Sequence, residues 1–192
     1  MILSPGAFVR VGLILFLGVV LQLSAIGQIG ILGSYADITP LLVGAVAYYG
    51  GSIAGSAAGF AAGILLDLAT GATMGASSLV LTAVGYGVGR YREVRDPSHG
   101  LLPIVIGAAA TAGWVTAYAA VSFMLDVGAT VSPLVIRDAL VTTMLGAILA
   151  IPIFIPTRKL LRPVLAVDPY DRRRRRRAPK ETGPLGLRGL EV

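Results

Sequence analysis

The sequence predicts an all-α integral membrane protein, a bundle of six transmembrane helices with both termini in the cytoplasm. Hydrophobic residues make up 55% of the 192 residues and charged residues only 14%, whereas soluble domains carry roughly a quarter of charged residues. The mean hydropathy is +0.81. The charged residues are gathered in short stretches, and the long uncharged runs between them are typical of segments embedded in lipid.

The uncharged runs define the predicted spans, because crossing a hydrocarbon core of about 30 Å takes around 20 helical residues. We expect spans at approximately residues 9–27, 35–50, 52–67, 73–90, 101–125 and 136–156. The last span is expected to end at Pro152 and Pro156. Together, residues 1–162 form the predicted bundle, and residues 163–192, rich in proline, glycine and arginine, form a disordered basic cytoplasmic tail.

The run at residues 38–66 is ambiguous, because one helix of that length would extend roughly 44 Å, too long for one upright span and short for two. We interpret it as a hairpin that turns at Gly50 and Gly51. Six spans then place every basic residue except Arg137 on the cytoplasmic side, as the positive-inside rule favours. A five-span model with the N-terminus outside is the alternative. The acidic residues expected on the outer side are Asp37, Asp67, Asp126 and Asp138.

The first span has a second interpretation. Arg10, the apolar run after it and Ser24 could belong to a signal peptide. The run is longer than a usual signal core and lacks a clean cleavage site, so we favour a membrane span. Removal of this segment would leave the other spans oriented as before.

Several classes of chemistry are excluded by residue type. The chain has no cysteine, and His99 is its single histidine, so disulfides, thiolate zinc sites and multi-histidine metal sites are excluded. No pairing of carboxylates with a histidine, phosphate-binding loop or nucleophile elbow is found. The predicted spans carry few ionisable groups, which disfavours transport. The sequence therefore predicts a protein that is not an enzyme and holds no cofactor or metal.

Small residues dominate the third predicted span. Four of its glycines recur every four residues, and two glycines in the fourth span repeat this spacing. In lipid, small residues let two helix backbones approach closely. We interpret the set as helix-packing residues within the chain's own bundle, with a docking face for another protein as the alternative. The set is Gly51, Gly55, Gly59, Gly63, Gly85 and Gly89.

Asp67 lies four residues beyond the last of those third-span glycines. An acidic side chain within a membrane span is a candidate for function. We favour a cap or turn-fixing role at the start of the next helix, and partner contact or ion handling are the alternatives. Trp114 and Tyr118 share one face of the fifth span, where core packing is favoured over stacking on a ligand.

The basic tail contains an unbroken run of arginines. Each is expected to attract an anionic leaflet by roughly 1 kcal/mol, so we predict that the run binds lipid and fixes topology. Nucleic-acid binding is not predicted, because no stacking aromatics or folded module accompany the run. The run consists of Arg172, Arg173, Arg174, Arg175, Arg176 and Arg177.

The order of small residues and the acid resembles the rod shape-determining protein MreD family over roughly residues 9–95. The pattern is Gly55-x3-Gly59-Phe60-x2-Gly63-x3-Asp67-x3-Gly71-x3-Gly75, followed by Leu79-Val80-Leu81-Thr82 and by Gly85-Tyr86-x2-Gly89-Arg90. The remaining residues agree with that family in length, span number and basic ending.

This resemblance implies a non-enzymatic membrane scaffold of the bacterial cell-elongation (rod-shape) complex in the inner membrane. Such a protein would bind the bitopic protein MreC, and through it MreB and the peptidoglycan synthases, and would support lateral peptidoglycan synthesis and cell shape. The resemblance also implies a bundle similar to the S-components of energy-coupling-factor transporters. The alternative function is therefore a substrate-binding membrane subunit for vitamin uptake, which would need a polar, aromatic-lined pocket open to the outside.

Overall fold

The fold is helical. The computed structural model describes residues 5–24, 30–31, 34–94, 102–125 and 133–161. The predicted tail with its six arginines, and also His99 and Asp126, lie outside the described residues. Two strands of two residues each, β1 (Gly30–Ile31) and β2 (Ser34–Tyr35), pair antiparallel between the first two helices. The described ranges contain the helices α1 (Pro5–Ser24), α2 (Thr39–Gly50), α3 (Ser52–Thr70), α4 (Ala76–Val94), α5 (Leu102–Met124) and α6 (Pro133–Leu161).

Within the described ranges, three helices are long and apolar enough to cross a membrane: α3, α5 and the Ile136–Leu161 part of α6. The apolar part of α1, Val9–Ser24, is shorter, and α2 has only 12 residues. An apolar and almost entirely helical fold is therefore established, while the number of spans stays a prediction.

The short helix α2 lies at the centre of the bundle. Its side chains from Leu41 to Ala47 are buried, and Leu41, Val43 and Val46 have no exposed surface. A helix that is apolar on every side needs neighbours on every side, and α1, α3, α4, α5 and α6 all pack against it. The two apolar core clusters of the described residues both include α2 residues.

The ambiguous run at residues 38–66 is divided into two helices at Gly51. This glycine has φ of 89° and ψ of −178°, a conformation essentially confined to glycine. Its N–H donates to the carbonyl oxygen of Ala47 at 2.8 Å. A Cβ at Gly55 would contact Ala47, so α2 and α3 fold back on one another. The break falls at the glycine pair where the sequence predicted a turn.

The backbones of α3 and α4 touch. A Cβ added to Gly59 would lie 2.5 Å from the carbonyl carbon of Leu81 and 2.8 Å from the backbone nitrogen of Thr82. Cβ atoms in folded proteins essentially never approach other heavy atoms so closely. A Cβ on Gly63 would meet the backbone of Ser78 in the same way. No side chain larger than a hydrogen atom fits between the two helices at these positions.

The last helix corrects one expectation. The sequence predicted that Pro152 and Pro156 end the sixth span, but α6 continues through both to Leu161. Prolines remove backbone donors, yet membrane helices tolerate them where other groups compensate.

Helices that follow one another in the chain run in opposite directions, and the bundle therefore has two distinct ends. A Cβ at Gly107 would meet Ala150, and one at Gly146 would meet Thr111, which makes α5 antiparallel to α6. We name the end that carries Arg90, Arg92 and Arg158 the arginine end, and the end that carries Asp37, Asp67 and Asp138 the aspartate end.

The contact between α3 and α4 predicts unequal effects for two glycine-to-alanine changes. Gly59→Ala inserts a methyl group into backbone atoms of α4, whereas Gly87→Ala places the same group where nothing lies within 4 Å. Gly59→Ala is expected to lower the free energy of unfolding by about 1 to 3 kcal/mol. Gly87→Ala is expected to be neutral or to stabilise by up to about 1 kcal/mol, because alanine favours helix.

Unfolding of both variants in mild detergent, titrated with a denaturing detergent, measures the difference. Both changes are made inside helices and carry the same gain in helix propensity, so the difference between them isolates the packing. Equal stability of the two variants would contradict the close contact.

Candidate functional site

The polar contacts of the bundle are concentrated at its two ends. Among the described residues, no group of three or more histidine, aspartate or glutamate side chains is placed to hold a metal ion. The candidate features are instead carboxylates and guanidinium groups that contact the ends of other helices.

Asp67 is buried at the end of α3, with 2% of its surface exposed. Its Oδ2 accepts a hydrogen bond from the Gly75 N–H at 2.8 Å, and its Oδ1 accepts one from the Ser77 N–H at 3.2 Å. Gly75 directly precedes α4 and Ser77 lies in its first turn, so no carbonyl within the helix can accept from these N–H groups. The carboxylate therefore caps α4 and also meets the positive end of its dipole. This is the arrangement that the capping interpretation requires.

Glu93 makes the corresponding contact at the arginine end. Its Oε1 accepts from the Ser52 N–H at 2.9 Å and from the Ser52 hydroxyl at 2.7 Å. Ser52 is the first residue of α3. The Oε2 of Glu93 pairs with Arg90 at 3.2 Å. Helix α3 thus supplies the carboxylate that caps α4, and α4 supplies the carboxylate that caps α3.

Sequence reasoning did not identify Glu93. The residue lies among arginines near a predicted cytoplasmic connection, and its partner is 41 residues away in the chain. The one local signal was an acidic side chain in an otherwise basic segment, Arg90-Tyr91-Arg92-Glu93.

Arg92 contacts the α2 side of the turn between α2 and α3, whereas Glu93 contacts its α3 side. Its Nη1 donates to the carbonyl oxygen of Tyr49 at 2.9 Å, near the C-terminus of α2. The guanidinium carbon lies 5.4 Å from the centre of the Tyr48 ring, within the range of a cation–π contact. The last turn of α4 therefore contacts the chain on both sides of the turn.

A second polar network joins α1 to the start of α2 at the aspartate end. The side-chain amide of Gln22 donates to the Ala36 carbonyl oxygen at 3.0 Å and accepts from the Ile38 N–H at 2.9 Å. Asp37 accepts from the Thr39 N–H at 3.0 Å. These bonds supply partners for the backbone carbonyl and N–H groups of the segment that leads into α2.

Trp114 also belongs to the core. It is 7% exposed and lies within the larger apolar cluster, and its ring centre is 4.9 Å from that of Tyr118. The core-packing prediction for Trp114 is confirmed.

The structure brings most of the predicted glycine set together. Gly55, Gly59 and Gly63 on α3 face α4, and Gly85 and Gly89 on α4 face α3. Gly51 differs from them because it lies in the turn before α3 rather than inside a helix. The arginine run at residues 172–177 lies outside the described residues.

Comparison of the sequence with protein-family models gives a match. The model of the rod shape-determining protein MreD matches residues 5–164, a range that includes all of the helices described above. The chain belongs to the MreD family. Comparisons with curated proteins and with solved structures give no match. Membership of the MreD family indicates a role in rod shape determination, and together with the apolar helices it indicates a membrane protein.

The cap made by Asp67 predicts a graded effect of substitution. Asp67→Ala leaves the N–H groups of Gly75 and the buried Ser77 without this acceptor and is expected to lower the free energy of unfolding by about 1 to 3 kcal/mol. Asp67→Asn retains one acceptor oxygen and is expected to lose less than half as much. Unfolding in mixed micelles measures both variants, and wild-type stability of Asp67→Ala would contradict the cap.

The cap made by Glu93 predicts a pH dependence. The two hydrogen bonds from Ser52, together with Arg90, hold the pKa of Glu93 below its usual value of 4.5. A lowered pKa in the folded state means that the charged carboxylate stabilises the fold above about pH 4.5. This contribution is lost as the pH falls through the folded-state pKa.

We therefore expect Glu93→Gln to have a lower melting temperature than the wild type at neutral pH. The difference should shrink steadily as the pH is lowered below 4.5. The fluorescence of the single tryptophan, Trp114, reports melting in both proteins. A difference that does not change with pH would show that the charge of Glu93 has no part in the cap.

Proposed function

We propose that this chain is a non-enzymatic membrane scaffold of the bacterial cell-elongation complex. It binds an MreC-like bitopic protein, and through it MreB and the peptidoglycan synthases, and it supports lateral peptidoglycan synthesis. The observation that carries the proposal is the MreD family match along all of the described helices. The helix caps and the glycine contacts support a rigid framework role, since their polar groups are occupied in holding helices together.

The proposed topology is six membrane spans in the inner membrane with both termini in the cytoplasm. Its support is the separation of charge: Arg90, Arg92 and Arg158 lie at one end of the bundle, and Asp37 and Asp67 lie at the other. The positive-inside rule places the arginine end in the cytoplasm.

The short α2 is compatible with a complete crossing. Twelve helical residues extend only about 18 Å, less than the hydrocarbon core. The chain before α2 is not helical, but Ala36 and Ile38 are buried in the protein and Gln22 binds their backbone. Non-helical backbone is tolerated at membrane depth where protein surrounds it.

The partner is expected to bind the bundle within the membrane. The described residues are almost entirely helical, and their exposed surface is rich in large apolar side chains such as Phe16, Phe60 and Ile148. A single apolar helix of a bitopic protein matches such a surface through dispersion and close packing.

Replacement in a rod-shaped bacterium tests the function. After depletion of the resident MreD protein, this chain is expected to restore rod shape and the foci of wall synthesis, and an MreC-like protein should co-purify with it after mild detergent extraction. Round cells despite normal expression would contradict the proposal. Tight binding of a vitamin by the purified chain, without a partner, would favour the uptake-subunit alternative.

Reporter fusions test the topology separately. A reporter that fluoresces only in the cytoplasm is expected to be active at the C-terminus and in the connection after α4. Alkaline phosphatase, which is active only outside, is expected to be inactive at both positions. Phosphatase activity at either position would contradict the six-span arrangement.

A further inference from the structure

We propose that the arginine end contains a binding site for the phosphate group of an anionic membrane phospholipid. The site, named here the tyrosine–arginine site, consists of Tyr48, Tyr49, Arg92 and Arg158. It rests on the proposed function only in requiring that this end of the bundle lies at a membrane surface.

Three helices converge at the tyrosine–arginine site. The tyrosines belong to the last turn of α2, Arg92 to the last turn of α4 and Arg158 to the last turn of α6. Basic residues are favoured near helix C-termini in general, so each arginine alone means little. Here, however, the guanidinium carbon of Arg92 lies 5.4 Å from the centre of the Tyr48 ring. Arg158 lies one helical turn after Phe154, whose ring centre is 6.1 Å from that of Tyr48 and 6.2 Å from that of Tyr49. Side chains from separate helices thus bring two positive charges to one pair of rings.

The charge balance at this end favours an anion. Of the acidic side chains in the described residues, only Glu93 lies at the arginine end, and Asp37, Asp67 and Asp138 lie at the other. The oxygens of Glu93 already accept from Ser52 and pair with Arg90. An incoming phosphate therefore meets no competing free carboxylate among the residues described here.

The geometry holds the donors in place. The rings of Tyr48 and Tyr49 pack edge to face at 5.0 Å, and both rings lie about 6 Å from that of the buried Phe154. Arg92 is fixed through the Tyr49 carbonyl oxygen and the Tyr48 ring. Phenolic hydroxyl and guanidinium groups are the donors that bind phosphate oxygens well.

The surroundings favour a lipid over a soluble phosphate. Ile151 and Ile155 precede Arg158 on α6 by seven and three residues, and all three share one helix face. Both isoleucines are about half exposed, so this face presents an apolar surface for an acyl chain directly beside the cation. Tyrosine is enriched where a membrane meets water. A phosphate attached to acyl chains matches both parts of this surface.

Lipid binding by the full-length chain tests the proposal. The chain is purified in a neutral detergent and titrated with phosphatidylglycerol, and bound lipid is counted by native mass spectrometry. Arg158→Gln is expected to weaken binding about fivefold, because one basic side chain near an anionic lipid contributes about 1 kcal/mol. The combined change Tyr48→Phe with Tyr49→Phe keeps the rings and is expected to weaken binding by removing the hydroxyl donors.

Arg10→Gln is the matched control. It removes the same charge from an exposed position on α1, and the basic tail is present in every variant. Its binding of phosphatidylglycerol is expected to equal that of the wild type. Phosphatidylcholine, which has no net charge, is expected to bind weakly to all of the proteins, and soluble glycerol phosphate is expected not to compete. Melting followed by Trp114 fluorescence confirms that each variant is folded.

Two results would overturn the proposal. Equal weakening by Arg10→Gln and Arg158→Gln would show that charge in general, and not the tyrosine–arginine site, attracts the lipid. Competition by glycerol phosphate at the same concentration would show a site for soluble phosphates. Either result leaves the scaffold proposal intact, because rod-shape rescue does not depend on this measurement.

Discussion

Backbone atoms of α3 meet backbone atoms of α4 along most of the length of both helices. Gly55 and Gly85 face each other so closely that a Cβ on either would overlap the carbonyl group of the other. In lipid there is little hydrophobic driving force between helices, so dispersion and weak Cα–H contacts at close range stabilise such a pair. Because backbone atoms do not rearrange as side chains do, this contact fixes the register of the two helices and the relative positions of their ends.

The register in turn places two carboxylates. Asp67 meets the first N–H groups of α4, and Glu93 meets the first N–H and hydroxyl groups of α3. N–H groups at a helix start need an acceptor, and in a membrane water supplies fewer of them. Each helix therefore supplies the carboxylate that accepts hydrogen bonds from the start of the other helix. Arg92 likewise donates a hydrogen bond to a carbonyl oxygen near the end of α2. Helix α2 is therefore held between the α3–α4 pair and the remaining helices.

Much of this arrangement could be predicted from local patterns. The four-residue spacing of Gly55, Gly59 and Gly63 marks one helix face, and Asp67 continues it, so the packing face and the acid belong together without any knowledge of the fold. The turn near Gly51 follows from the distribution of charge, because only an added crossing places the arginines on one side.

Other features depend on contacts that a sequence does not reveal. The cap by Glu93 joins residues 41 positions apart, and nothing local distinguishes that acid from a solvated one. The central position of α2 could not be predicted, because a helix that is apolar on every side does not indicate which side faces the core. The passage of α6 through Pro152 and Pro156 is not predicted because proline usually ends a helix, and membrane helices tolerate it only in the context of the folded bundle.

Hydrogen exchange of backbone amides is the most direct measurement of the framework described here. The full chain in bicelles is transferred to heavy water, and exchange is followed residue by residue. If α3 and α4 form one unit, the amides around Gly59 and Leu81 will exchange at the same slow rate and more slowly than those of α1. Independent exchange of α3 and α4, or longer protection in α1 than in both, would contradict the account.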